Sequence, residues 1–114
     1  MNSVPVRMTV RWAVPQGESR PITSALQGLM VTTRSEPGCA GCSLSTHMGA
    51  QALIDYVEEW QSEDDLKREL RSDRFTQLAE LMERASEPPI VQFNLAGTTR
   101  GLEYAREVRE RRSA

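Results

Sequence analysis

Two glutamates and a small set of aromatic residues are the side chains best suited to chemistry in this sequence. Glu58 and Trp60 close the apolar run that begins at Ala52, and Glu69 follows in the next segment. Residues two apart on an extended strand share a face. A carboxylate held there beside an indole would be desolvated and its pKa raised, so that it could accept a proton or bind a polar ligand group. Glu58 and Glu69 are therefore the candidate catalytic residues. Trp12, Trp60 and Phe75 are candidate substrate-binding walls, because small-molecule pockets are mostly apolar with few polar groups. A plainer reading stands beside this one: Glu58 pairs with Arg7 or Arg11 on the first strand, and the aromatic residues are core.

Cys39 and Cys42 form a C-x-x-C, but they fall on a predicted strand, where residues three apart point to opposite faces and the sulfurs are badly placed for a disulfide. As zinc ligands they would need two more partners, and His47 supplies at most one. His47 is the only histidine, hence the only side chain with an unperturbed pKa near neutrality, yet its place near a hairpin end suits a partly exposed structural residue. No motif indicates a metal or an organic cofactor.

The elements that must position these residues follow from periodicity. Val4 to Val14 alternates apolar and polar residues and reads as a strand; Pro21 opens a helix, preceded by Ser19 or Arg20, that runs to about Arg34. Glu36-Pro37-Gly38 makes a turn. Cys39–His47 and Ala52–Trp60 then form a hairpin across Met48-Gly49-Ala50-Gln51. Ser62 with three following acidic residues caps a short helix, and Ser72-Asp73 caps a longer one that reaches Ser86. Pro88-Pro89 stops it, and Ile90 to Ala96 is the last strand. The order strand, helix, strand, strand, helix, strand is that of an α+β ferredoxin-like domain, with an antiparallel sheet and helices on one face. This domain is expected over residues 4–97. Residues 98–114 form a charged extension whose helix, Leu102 to Arg112, would rest on a thin apolar line and on pairs such as Arg106 with Glu110 and Glu107 with Arg111.

Fourteen basic residues against sixteen acidic ones give a formal charge of −2, so nothing favours nucleic acid as a partner. No apolar run reaches the roughly 18 residues that span a bilayer, so no membrane association is expected. Two cysteines are too few for a disulfide framework, which fits the cytoplasm. In the third strand Leu53 and Val57 point one way and Ile54, Tyr56 and Trp60 the other, which leaves apolar groups on a sheet face that no helix covers. A homodimer packed sheet against sheet would cover them.

Glu36-Pro37-Gly38-Cys39, Glu58-Glu59-Trp60-Gln61-Ser62 and Leu70-Arg71-Ser72, in that order, resemble the antibiotic biosynthesis monooxygenase family. The resemblance covers roughly Val6 to Ala96. It implies a dimeric α/β barrel with a ligand cavity between sheet and helices, in a family that includes cofactor-free oxygenases of quinol-like aromatics, haem-degrading enzymes and proteins without assigned activity. The chain departs from the family at several places. Glu69 replaces a histidine often found just before the Leu-x-Ser segment, and Cys42 an aromatic residue. The Asn, Trp and His of the haem-degrading branch align with Val10, Glu69 and Ala79, which argues against haem degradation. The implied function is a cofactor-independent monooxygenase acting on a small aromatic or quinol-type molecule, with Glu58 or Glu69 as base. The alternative is a non-catalytic small-molecule-binding or regulatory dimer.

Overall fold

Alternation along the first strand sets the architecture. In the computed structural model, which describes residues 5–111, β1 (Val6–Val14) buries Val6, Met8, Val10, Trp12 and Val14 and leaves Arg7 and Arg11 exposed. Val4, where the predicted strand begins, lies outside the described residues. β1 pairs antiparallel with β3 (Ala52–Trp60) on one side and β4 (Ile90–Leu95) on the other. β2 (Cys39–Met48) joins the outer side of β3, and β5 (Thr98–Arg100) the outer side of β4, giving the order β2-β3-β1-β4-β5. The helices are α1 (Gln16–Arg34), α2 (Glu63–Leu70), α3 (Asp73–Met82) and α4 (Glu103–Glu110). The expected ferredoxin-like βαββαβ order is thus present, followed by a strand and a helix. One apolar core joins the buried strand row to Ile22, Leu26 and Met30 of α1, Leu66 and Leu70 of α2, and Phe75 and Leu78 of α3. No helix among the described residues is long and apolar enough to cross a membrane.

Local chemistry explains where the elements differ from expectation. Helix α1 starts at Gln16 rather than beside Pro21: Pro15 takes an extended conformation at the cap, and Glu18 N–H donates to the Pro15 carbonyl at 2.8 Å. Pro21 is therefore inside the helix, where it removes only the bond its N–H would have made to the Gly17 carbonyl. Helix α3 ends at Met82 rather than Ser86, because Ser86 turns both its N–H (2.9 Å) and its Oγ (3.0 Å) to the Ala13 carbonyl at the end of β1. Thr98–Arg100, read as a lead into a helix, is instead a strand that folds back on β4 around Gly97, whose φ is +78°. Among the described residues, helix α4 has no internal Arg106–Glu110 or Glu107–Arg111 pair; Glu107 turns to Arg100, 2.5 Å away on β5. Its hold on the domain comes from buried Tyr104, Ala105 and Val108, from Tyr104 Oη donating to Glu63 at 2.7 Å, and from Arg109 donating to the Leu70 carbonyl at 2.6 Å. Arg112 lies outside the described residues.

The uncovered face of the sheet is half apolar. Leu53 and Ile90 are exposed there and Val57 is half-buried, bordered by ion pairs of Arg7 with Glu59 and Arg11 with Asp55, each closing at 2.7 Å.

The turn before β2 carries the site's supporting strand. Gly38 has φ +90°, and a Cβ built on it would lie 2.3 Å from Cγ of Asp65. That carboxylate accepts from Ser62 Oγ at 2.8 Å, while Ser62 Oγ accepts from Asp65 N–H at 3.1 Å, closing the cap of α2. Gly38→Ala is expected to lower stability by about 2 kcal/mol or more, from backbone strain together with displacement of the cap. Urea titration against the unsubstituted chain checks this, and a loss below about 0.5 kcal/mol would contradict it.

Candidate functional site

The buried row of β3 runs Ala52, Ile54, Tyr56, Glu58, Trp60 and puts a carboxylate among apolar groups. Glu58 is 2% exposed. Tyr56 Oη donates to its Oε2 at 2.6 Å, and Trp60 Nε1 donates to its Oε1 at 3.0 Å. Cys42 Sγ on β2 donates in turn to Tyr56 Oη at 3.3 Å. No described arginine or lysine lies within ion-pair distance of Glu58. Burial and then the negative charge of Glu69 push its carboxyl up to about 7, against the opposing pull of Tyr56, Trp60 and Arg74.

Glu69, in the last turn of α2, is 3% exposed but paired. Arg74 of α3 grips it through Nη2 at 2.8 Å and Nε at 3.2 Å, and the same Nη2 lies 3.0 Å from Oε1 of Glu36 in the turn before β2. Burial raises the Glu69 carboxyl, and Arg74 holds that rise back. Burial also lifts the Cys42 thiol, to about 11, and raises the Tyr56 phenol, so both are protonated at neutral pH.

The structure brings Glu58 and Trp60 into contact and sets Glu69 near enough to act on Glu58 by charge. Trp12 stands elsewhere. It is opposite Ile54, four residues along β3 from Glu58, a separation of roughly 13 Å at strand rise. Its Nε1 is buried without a hydrogen-bond partner among the described residues. Phe75 is buried on α3 under Arg109, whose guanidinium carbon is 5.7 Å from the ring centroid. His47 is exposed, with Nε2 3.8 Å from Asp55. Among the described residues no group of three or more His, Cys, Asp or Glu is placed to hold a metal.

Two sequence readings need correction. Glu58 does not pair with Arg7 or Arg11; those side chains stand on the other face of the sheet, where Glu59 and Asp55 meet them. Cys39 and Cys42 are not on opposite faces, because a β-bulge between Cys39 and Gly41 absorbs one residue, so that Cys39 faces Trp60 and Cys42 faces Glu58 in the ladder. Both cysteines are free thiols. The site residues not singled out from sequence are Tyr56, Arg74 and Glu36. Tyr56 was within reach of the same two-residue spacing that selected Trp60.

A ferredoxin-like α+β domain with a buried carboxylate on its β2–β3 hairpin, unpaired with any cation among the described residues, is the class that fold and site define. The sequence model described as antibiotic biosynthesis monooxygenase matches residues 5–81, and the chain belongs to that family. Solved structures agree in fold. A conserved protein of Methanosarcina mazei is 20% identical with a TM-score of 0.70, over 81% of this chain and 92% of that one. A Mycobacterium tuberculosis protein is 24% identical with a TM-score of 0.63, over 79% and 92%. A structure named antibiotic biosynthesis monooxygenase is 18% identical with a TM-score of 0.67, over 80% and 97%. No curated protein matches the chain.

The raised Glu58 carboxyl ties stability to pH. Its folded value of about 7 exceeds the ordinary 4.5, so between those values the folded state holds the extra proton, and stability falls as pH rises through the window. Glu58→Gln should remove this slope, gaining on the order of 3 kcal/mol relative to the parent above pH 7 and nothing below pH 4.5. Denaturant midpoints of both proteins across that range test it; parallel curves would contradict it.

The two tryptophans should also differ. Trp60→Phe strips a hydrogen bond from a buried carboxylate, whereas Trp12→Phe removes a donor that has no partner among the described residues. Trp60→Phe is expected to cost at least about 1 kcal/mol more than Trp12→Phe in the same unfolding assay.

Proposed function

We propose that this chain is a cofactor-independent monooxygenase-like enzyme acting on a small aromatic or quinol-type molecule, with Glu58 as the proton acceptor. The observation that supports this most directly is a carboxylate 2% exposed, without a cation partner among the described residues, and pushed up to about 7 by burial. Such a group is a stronger base than an ordinary carboxylate, with a pKa moved toward neutral pH. Each carboxylate oxygen carries two lone pairs and receives one protein hydrogen bond, leaving a position open on each. Of the two candidate carboxylates Glu58 is the better base, because Glu69 is neutralised by Arg74.

The chemistry needs an electron-rich aromatic whose reactive CH2 is acidified by the ring. Glu58 takes one C–H proton, and the carbanion transfers an electron to dioxygen. The radical pair joins to a peroxide anion, which the proton on Glu58 converts to the hydroperoxide. Loss of water then leaves a C=O, so that CH2 and O2 become C=O and H2O. Trp60 would form an apolar wall beside the reacting carbon, and Trp12 and Phe75 more distant walls. A groove of about 860 Å³ between α1 and α3 has Arg74 in its lining, so displacement of that side chain offers a way in toward Glu69 and Glu58.

The apolar patch of Leu53, Val57 and Ile90 supports a homodimer through the open sheet face. The free thiols suit the cytoplasm. A second reading, a non-catalytic small-molecule-binding or regulatory dimer, is favoured by the closed packing around Trp60, 1% exposed, and by the ion pair on Glu69.

Oxygen-electrode assays with anthrones, whose ring-activated CH2 fits this chemistry, separate the two. The parent protein is expected to consume one O2 per product above the autoxidation rate, and Glu58→Gln to lower that rate by about 10²-fold or more. Thermal stabilisation by such compounds with no oxygen uptake would instead establish the binding reading.

A further inference from the structure

Glu58 can act repeatedly only if its proton can reach water, and the carboxyl itself is shut off from solvent. Its neighbours differ in what they can carry. Trp60 Nε1 is a donor with no acceptor lone pair, so the Oε1 side of the carboxylate is closed to proton transfer through the protein. Arg74 is a permanent cation committed to Glu69 and Glu36, and no hydrogen bond joins Glu58 to Glu69 among the described residues. Tyr56 Oη is different: it donates to Glu58 at 2.6 Å and accepts from Cys42 Sγ at 3.3 Å. Hydroxyl and thiol are each both donor and acceptor.

Cys42 stands on the edge strand β2 and is half-buried. The bulge at Cys39/Gly41 turns it onto the Glu58 face, and Arg34 of α1 fixes its backbone by donating to its carbonyl at 2.9 Å. A surface groove of about 410 Å³, lined in part by Arg34, Ser43 and Leu44, runs beside it. The second thiol, Cys39, is directed at the Gly41 carbonyl at 3.6 Å and is not in the chain.

We propose that Cys42 and Tyr56 form a proton relay connecting Glu58 to solvent at the α1/β2 edge. With Cys42 donating to Tyr56 and Tyr56 to Glu58, hops run inward. The Tyr56 proton passes to Glu58, the Cys42 proton to Tyr56 Oη, and a hydronium ion at the surface restores the thiol and leaves water. With both rotors turned outward the Glu58 proton passes to Tyr56 Oη, the phenol proton to Cys42 Sγ, and the thiol proton to water. Concerted hops form no free phenolate or thiolate, both of which burial opposes. The charged and titratable groups facing this chain are Glu69 and Arg74 from the helices, Glu36 from the turn before β2, Arg34 from α1 and Cys39 from β2. The relay rests on Glu58 being the base of the proposed reaction, but its test does not require turnover.

A light-triggered proton release, followed by time-resolved infrared spectroscopy of the full chain, reads protonation of Glu58 from the carboxylic C=O band that Glu58→Gln abolishes. Cys42→Val is expected to slow this protonation at least tenfold without moving its midpoint, and Cys42→Ser to restore it. Tyr56→Phe should slow it as much while raising the midpoint, since it removes a hydrogen bond that favours the anion. Wild-type rates in Cys42→Val or in Tyr56→Phe would overturn the relay, as would a Cys42→Ser variant as slow as Cys42→Val. Absence of oxygen uptake would overturn the enzyme reading and leave this result standing.

Discussion

Every residue on one face of β3 must be buried, and Glu58 stands in that row. The strand lies between β1 and β2, its inner face is roofed by α1, α2 and α3, and alternation gives Glu58 no other direction. A carboxylate in such a place is tolerated only if its oxygens are hydrogen-bonded and its charge can be given up. Tyr56 and Trp60, the residues two before and two after it on the same face, meet the first condition. The rise of its carboxyl toward neutrality meets the second. The neighbouring Glu69, in the last turn of the helix that follows β3, reaches a different settlement through Arg74, so two buried acids differ in kind: one is held in an ion pair, the other only by neutral donors.

Much of this was legible in the residues. Period-2 alternation in Val6–Val14 and Ala52–Trp60, the serine caps at Ser62 and Ser72, and the Pro-Gly turn before β2 yield the element order and the face on which Glu58 and Trp60 meet. What was not legible depends on partners distant in sequence or on backbone irregularity. The bulge that moves Cys42 beside Tyr56 leaves no composition signal, and the pairing of Arg74 with both Glu69 and Glu36 needs the α2/α3 corner already built. Strand β5 was hidden because three residues rich in threonine and arginine carry too short an alternation to read. Trp12 and Trp60 looked alike as pocket walls, yet strand register puts them toward opposite ends of the sheet.

The C-terminal strand and helix extend the same logic. Phe93 and Tyr104 pack with ring centroids 5.2 Å apart, Arg71 donates to the Val108 carbonyl, and Arg109 ties α4 to the end of α2 and to Thr76 of α3. Helix α4 therefore fastens the α2/α3 corner that presents Glu69 and Arg74.

The ion pairs on the open face carry a consequence for self-association. A two-fold contact brings each surface against its own copy, so an unpaired charge near the axis would meet its like. Here Arg7 is already matched by Glu59 and Arg11 by Asp55 within one chain, and the row that flanks Leu53, Val57 and Ile90 is electrically balanced before any partner arrives. Two such faces would meet without net repulsion, and the strength of their union would change little with ionic strength.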